Sequence, residues 1–170
     1  HEEQKRVEHH KLSALLGYCE AAQCRRQILL QYFGDDAAPC SNCDTCNSPQ
    51  ETINGTIPVQ KILSCIHRTG HIFGSKHIVD VLTATPTPQT EKHRHDQVST
   101  WGIGTDYDRK TWESFIRQMV AANLAFVDLE SHSSLKITQD GAKFLKDKQT
   151  LQLRLPKAKE ARRTRTITTA

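Results

Sequence analysis

Three cysteines within seven residues constrain this chain more than any other feature. The run Pro39-Cys40-Ser41-Asn42-Cys43-Asp44-Thr45-Cys46 spaces its thiols as C-x2-C-x2-C, and two intervening residues let neighbouring thiolates converge on one ion without strain. Zinc takes four soft ligands in a tetrahedron, so a fourth must come from elsewhere. Cys24, sixteen positions before Cys40, is the best candidate. Four thiolates leave no position open to water, which marks a closed structural zinc site and not a catalytic one. Six cysteines could also be read as a disulfide framework, but no secretory signal is visible and three thiols crowd together, so a reducing compartment fits better. Cys19 reads as a spare thiol. Cys65, beside Ile62 and Ile66, reads as core.

The 170 residues suffice for one ordinary domain or two small ones. No apolar run approaches the roughly 20 residues of a membrane span. The chain starts at His1 and not at methionine, from which a fragment of a longer protein is expected. The formal charge of +4 is unevenly placed: residues 151–170 carry six basic groups against Glu160 alone, whereas the other 150 residues hold 17 basic and 18 acidic side chains. A basic tail of this kind can touch nucleic acid without specificity; the rest must rely on local patches.

The pattern divides the chain. Residues 1–20 form a charged helix with Val7, Leu12, Leu15 and Leu16 at loose helical spacing, expected to pack on an upstream domain. Residues 21–50 form the zinc unit, with a helix expected from about Glu20 to Phe33 that carries Cys24, presents Leu29, Tyr32 and Phe33 on one face, and stops at Gly34. Residues 51–57 read as a linker. From 58 to 150 the pattern gives a helix opened by Pro58, a second starting at Ser75 and Lys76, and a long polar loop from Thr85 to Gln97. A third helix follows, capped by Asp108 and striped by Trp112, Phe115, Ile116 and Met119. Strands at Leu124–Leu129 and Leu135–Thr138 and a closing helix after Thr138 complete it. Residues 151–170 read as a disordered basic tail. The expected class is mainly α with a small β-hairpin: a helical zinc-binding subdomain followed by a winged helix, in which the third helix commonly enters a groove and the hairpin forms the wing.

Several motifs compete with bland readings. His67 and His71 are an i, i+4 pair with no third ligand nearby in sequence, and read as a solvated helix end. The run Gly70–Lys76 superficially resembles a phosphate-binding P-loop but is one residue short and places His77 where a hydroxyl should hold magnesium. As the start of a helix, Ser75 and Lys76 still suit a DNA phosphate, because free backbone N–H groups favour anions. His93, Arg94 and His95, together with Thr105, Arg109 and Lys110 ahead of the third helix, make the best remaining basic cluster. His132, flanked by small serines, is the candidate at the wing tip. Phosphate contacts set grip and register without choosing sequence.

A zinc knuckle followed by a winged helix leads to a family. The chain resembles the RQC region of RecQ-type DNA helicases over roughly residues 9–148. The matching residues are Cys24-Arg25-Arg26, Tyr32-Phe33-Gly34, the Cys40–Cys46 run, Phe73-Gly74-Ser75-Lys76, Gly102-Ile103-Gly104, Trp112, Arg117-Gln118 and the hairpin around His132. The short wing is closer to the bacterial branch. The resemblance implies part of an ATP-driven 3′-to-5′ helicase of repair, recombination and replication, cytoplasmic and associated with the chromosome. In that family the zinc unit braces the motor against the winged helix, and the winged helix grips duplex or forked DNA at the unwinding junction. ATP and magnesium would belong to the upstream motor domains, so this chain is expected to be non-catalytic and a monomer. Two other classes remain open on the residues alone: a zinc-stabilised winged-helix regulator reading one DNA sequence, and a protein-docking module.

Overall fold

A computed structural model describes residues 2–48, 50–147 and 149–156. Helix α1 (Glu2–Glu20) ends where the chain turns through 21–24, and α2 (Arg25–Tyr32) starts afresh from Cys24. The helix expected from about Glu20 to Phe33 therefore starts later, at Arg25, and Cys24 is not within it. Cys24 stands at the N-terminal boundary of α2 with a non-helical backbone, which frees the thiol to face the knuckle. The expected apolar face does not pack either: Leu29, Tyr32 and Phe33 are half to three-quarters exposed, and Ile28 is the buried residue of α2. Gly34 does stop the helix in a left-handed conformation (φ +86), with its N–H on the Gln31 carbonyl and that of Asp35 on Leu30. A one-turn helix α3 (Asp44–Asn47) closes the knuckle.

The second half packs around one apolar core. Helix α4 (Thr56–Arg68) buries Val59, Ile62, Leu63 and Ile66; α5 (Ser75–Leu82) buries Ile78 to Leu82; α7 (Arg109–Ala121) buries Trp112, Phe115, Ile116 and Met119. On α4 and α7 the stripe recurs at three- and four-residue spacing, so one helical face turns inward. Asp108 caps α7, its carboxylate accepting the Thr111 N–H at 2.8 Å. Trp112 is fully buried and donates its indole N–H to the Gly104 carbonyl at 2.7 Å. The Trp101–Thr105 turn docks its backbone on the end of α5, through Gly102 N–H to Val81 and Gly104 N–H to Leu82, satisfying carbonyls that a helix end leaves open. Strands β2 (Ala125–Asp128) and β3 (Ser134–Ile137) form the antiparallel wing, and α8 (Gln139–Asp147) follows, its first turn capped by the Thr138 hydroxyl on the Gly141 N–H.

Three further differences from the sequence reading concern connections. The 51–57 segment, read as a linker, carries β1 (Ile53–Asn54), which pairs antiparallel with β4 (Gln152–Leu153). The tail expected from 151 thus begins with packed residues: Leu153 is buried, and the Gln118 amide brackets Arg154, donating to its carbonyl at 2.8 Å and accepting its N–H at 2.9 Å. The other tail cations lie outside the described residues. The polar loop 85–97 contains α6 (Pro88–Lys92), closed by a Thr87–Thr90 capping box, and a 3-10 turn at His95–Gln97. Short, polar helices of this kind carry no apolar stripe and leave no periodic signal.

The C-terminal end of α1 lies on α7, while Leu12, Leu15 and Leu16 further up the helix stay exposed. Gly17 is buried there, and a Cβ on it would stand 2.8 Å from the Arg117 carbonyl oxygen. Glu20 accepts two hydrogen bonds from the Arg117 guanidinium (2.9 and 2.7 Å) and one from the Ser114 hydroxyl (2.9 Å). The third helix, which commonly enters a DNA groove, is thereby covered along Ser114 and Arg117 by α1 and at Gln118 by the segment at Arg154.

Candidate metal centre and nucleic-acid interface

The four cysteines converge. The Sγ atoms of Cys24, Cys40, Cys43 and Cys46 all lie within 4.8 Å of one another, and those of Cys24 and Cys43 are 3.9 Å apart. A tetrahedron with Zn–S bonds of about 2.3 Å has sulfur edges of about 3.8 Å, so the cluster needs only a small contraction to hold one zinc. The donor set fits as well. The Cys40 N–H points at the Cys24 sulfur (3.3 Å) and the Thr45 hydroxyl lies 3.2 Å from that of Cys43. Hydrogen bonds from the Thr45 side chain and the Arg25 and Cys46 N–H groups pull the Cys43 thiol down to about 5. Burial raises Cys24, but N–H donors from Cys40, Gln27 and Arg26 outweigh it and leave it lowered. The hydrogen bond shared with Cys43 pushes Cys46 up to about 11. One thiol of the cluster is thus prepared as an anion, while another holds its proton until a cation replaces it. The zinc is structural: the four thiols surround one point and leave no open position.

Arg25 ties this knuckle to α1. It forks onto Asp44 at 2.9 and 3.0 Å and donates to the Tyr18 carbonyl and, at 3.3 Å, to that of Ala21. Its neighbour Arg26 is exposed. Cys19 is exposed on α1, and burial pushes the Cys65 thiol up to about 12, as suits an inert core residue.

The DNA candidates separate into two groups. Ser75 and Lys76 are exposed at the start of α5, and Phe73 just before them meets two other pieces, the polar loop and the wing. Its ring meets His93 at 5.0 Å, its carbonyl accepts the Leu135 N–H of the wing at 2.9 Å, and the adjoining Gly74 lies so near the wing that a Cβ there would stand 3.1 Å from the Ser133 carbonyl oxygen. Exposed His93 and Arg94, the α5 start and the wing tip with exposed His132 therefore share one neighbourhood. His95 does not point outward with them: it is buried, packed on Phe73 and bonded to His77, at odds with a direct phosphate contact. Arg109, also a candidate, is held by the buried Asp80 carboxylate. Thr105 and Lys110 are exposed, the latter directly after Arg109. Sequence reasoning does not reach Phe73 and His77 as site residues. Their one signal is position, the first inside the Phe73–Lys76 run and the second directly after it.

At the wing tip Asp128 accepts the Glu130 and Ser131 N–H groups at 3.0 and 3.2 Å and pairs with Lys136. The Lys136 ammonium and the Ser131 donors hold the Asp128 carboxyl down at about 2. Among the described residues no helix is long and apolar enough to cross a membrane.

Comparison with known proteins gives concordant matches. Residues 49–162 match the RQC domain family and residues 1–47 the RecQ zinc-binding family. Over 158 residues, 91% of this chain and 25% of the relative, the chain is 35% identical to the ATP-dependent DNA helicase RecQ of Haemophilus influenzae. It is 34% identical to that of Pasteurella multocida over the same shares, and 24% identical over 147 residues to that of Bacillus subtilis. The chain spans about a quarter of the length of these relatives.

Proposed function

Because this chain belongs to the RQC family, the C-terminal region of RecQ helicases with its zinc-binding unit, we propose that it is the DNA-gripping and bracing part of an ATP-dependent 3′-to-5′ DNA helicase acting in repair, recombination and replication. The observation that carries the grip is the neighbourhood around Phe73 and Gly74, where Ser75, Lys76, His93, Arg94 and the His132 wing tip meet. Its groups are a helix start, two cations and imidazoles, which suit the phosphate backbone and not base edges. With α7 covered by α1, the face that a sequence-reading winged helix would press into the major groove is occupied. The grip is therefore sequence-independent, as an enzyme translocating on any sequence requires, and Thr105, Lys110 and Arg109 extend it when Arg109 leaves Asp80.

The bracing role rests on a different surface. Leu12, Leu15 and Leu16 on α1 and Leu29, Tyr32 and Phe33 at α2 are 40% to 74% exposed. Apolar side chains in such number mark a covered surface, here the upstream motor domains that bind ATP and magnesium. The working protein is a monomer at the chromosome in the cytoplasm. The testing experiment is fluorescence anisotropy of a labelled forked duplex titrated with the zinc-loaded chain, at low and moderate salt, with two unrelated sequences. Binding that weakens steeply with salt and ignores sequence is expected. A strong sequence preference, or no binding at low salt with zinc retained, overturns the grip.

A further inference from the structure

His77 and His95 are both buried, 4% and 8% exposed, one inside α5 and the other in the 3-10 turn. His77 Nε2 and His95 Nδ1 stand 2.7 Å apart, a separation that requires one shared proton. Among the described residues, this is the one hydrogen bond tying residues 87–98 to another helix or strand; the Thr87–Thr90 capping box, for instance, closes on itself. Phe73 completes the seat, stacking on His77 at 4.1 Å and meeting His93 and His95 edge-on at 5.0 and 4.9 Å. Between these anchors Arg94 is held left-handed (φ +56), a conformation that costs a non-glycine residue about 1 kcal/mol and persists only while its neighbours are fixed.

We propose that His77 and His95 are positioning residues: their shared-proton bond latches the 93–97 turn onto α5 and presents His93 and Arg94 beside Lys76. The latch stands on its own geometry, and its consequence for DNA rests on the grip argued above.

The proton count sets its behaviour. A neutral pair has one N–H between two nitrogens, and a singly charged pair keeps it. Two imidazolium rings bring N–H against N–H and the bond is lost. Burial dominates both rings, pushing His77 down to about 4 and lowering His95; the His95 charge acts the same way on His77, and His93 on both. Asp80 on α5 and Asp96 beside His95 oppose this, but Asp80 is already paired with Arg109 from α7. The latch is closed at neutral pH and opens in acid.

The experiment is NMR of the backbone amides and imidazole nitrogens of the zinc-loaded chain as the pH is lowered, with zinc content followed in parallel. The Gln97 and Val98 amides, bonded to Arg94 and His95 carbonyls, are expected to lose exchange protection as the rings take their second proton, before α4, α7 or the zinc unit change. His95→Ala should open the turn at neutral pH with the core intact. His95→Gln, which offers His77 a partner that does not titrate, should keep it closed in acid. In duplex anisotropy at neutral pH, His95→Ala should weaken binding about fivefold, as Arg94→Ala does, and the double variant no further. Protection indifferent both to pH and to His95→Ala overturns the latch. A turn that opens while duplex affinity is unchanged overturns the positioning role, and a wild-type chain that binds no duplex overturns the grip while the amides still decide the latch.

Discussion

The zinc unit and the winged helix are held together by opposite kinds of contact. The winged helix contains the apolar core: Trp112, Phe115, Ile62, Leu63, Leu82, Met119 and Phe144 are all at most 2% exposed. Among the described residues of the zinc unit, Ala21, Cys24 and Ile28 are the buried apolar ones, while larger side chains on the same segment stay in solvent. Burying so little apolar surface cannot offset the ordering of some thirty residues, at about 1–2 kcal/mol each for the backbone alone. Polar connections hold it instead: four cysteine sulfurs gathered to share one zinc and the Arg25 fork across Asp44, Tyr18 and Ala21. One region is specified by side-chain shape, the other by coordination geometry.

The largest expected effect tests that contrast directly. Stripping the zinc with a chelator, or replacing Cys43 by Ala, should unfold the 21–48 segment, because metal affinity on the order of 10 kcal/mol is also its folding free energy. The winged helix should survive. Limited proteolysis with zinc assay checks this: cleavage within 21–48 with 56–147 protected is the expected pattern, and retained zinc with unchanged resistance would break the comparison. The converse change is Phe115→Ala, expected to cost the winged helix about 3–5 kcal/mol by leaving a cavity. The thermal midpoint followed by tryptophan fluorescence should fall sharply while zinc stays bound. A joint loss of both regions in either experiment would mean that the Glu20–Arg117 clasp makes them one cooperative unit.

That clasp is the sharper middle case. Glu20→Ala removes three hydrogen bonds, two from a charged partner, and leaves the mostly sheltered Arg117 without its carboxylate. A loss of about 1–3 kcal/mol in α1 docking is expected. Hydrogen exchange along α1 should rise while the knuckle and the winged-helix core hold. Unchanged exchange would show that the Gly17 contact and the Arg154 segment suffice.

The same contrast explains what is legible in the sequence. Coordination is written in residue type and spacing, so the four cysteines can be read from the chain alone. So can the α4 and α7 stripes, the α5 start and the Asp108 cap, because periodicity records burial. Contacts made by single polar residues leave no such record. Nothing in the spacing of Glu20 and Arg117, 97 positions apart, indicates their pairing, and the β1–β4 ladder is two residues long on each side. The inward turn of His95 is hidden for the same reason: a histidine in a polar loop looks like surface until Phe73 and His77 are placed against it. The late start of α2, at Arg25 and not near Glu20, is invisible because the Ala21-Ala22-Gln23 bridge contains no helix breaker.

A smaller effect separates the wing from the rest of the winged-helix domain, since its tip, like the zinc unit, is held by polar groups. Asp128 has its folded carboxyl at about 2, below its ordinary value, so its contribution is present above about pH 4 and is lost as the pH falls through the folded value. Asp128→Asn keeps an oxygen for the Glu130 and Ser131 N–H groups but removes the charge paired with Lys136, so protection of these two amides should become indifferent to acid with no change in core stability. The last and smallest change concerns the turn itself. His132 and Ser133 are both left-handed (φ +56 and +61), and the Ser134 N–H reaches the Ser131 carbonyl at 3.1 Å, the pattern of a type I′ turn that prefers Asn-Gly. His132→Asn combined with Ser133→Gly should therefore stabilise the hairpin by about 1 kcal/mol, measurable as a small rise in the melting temperature. If duplex affinity falls at the same time, the tip's imidazole contributes to the grip and its strained backbone is retained for that contact. If affinity is unchanged, His132 is a turn residue alone and the grip rests on α5 and the latched 93–97 turn.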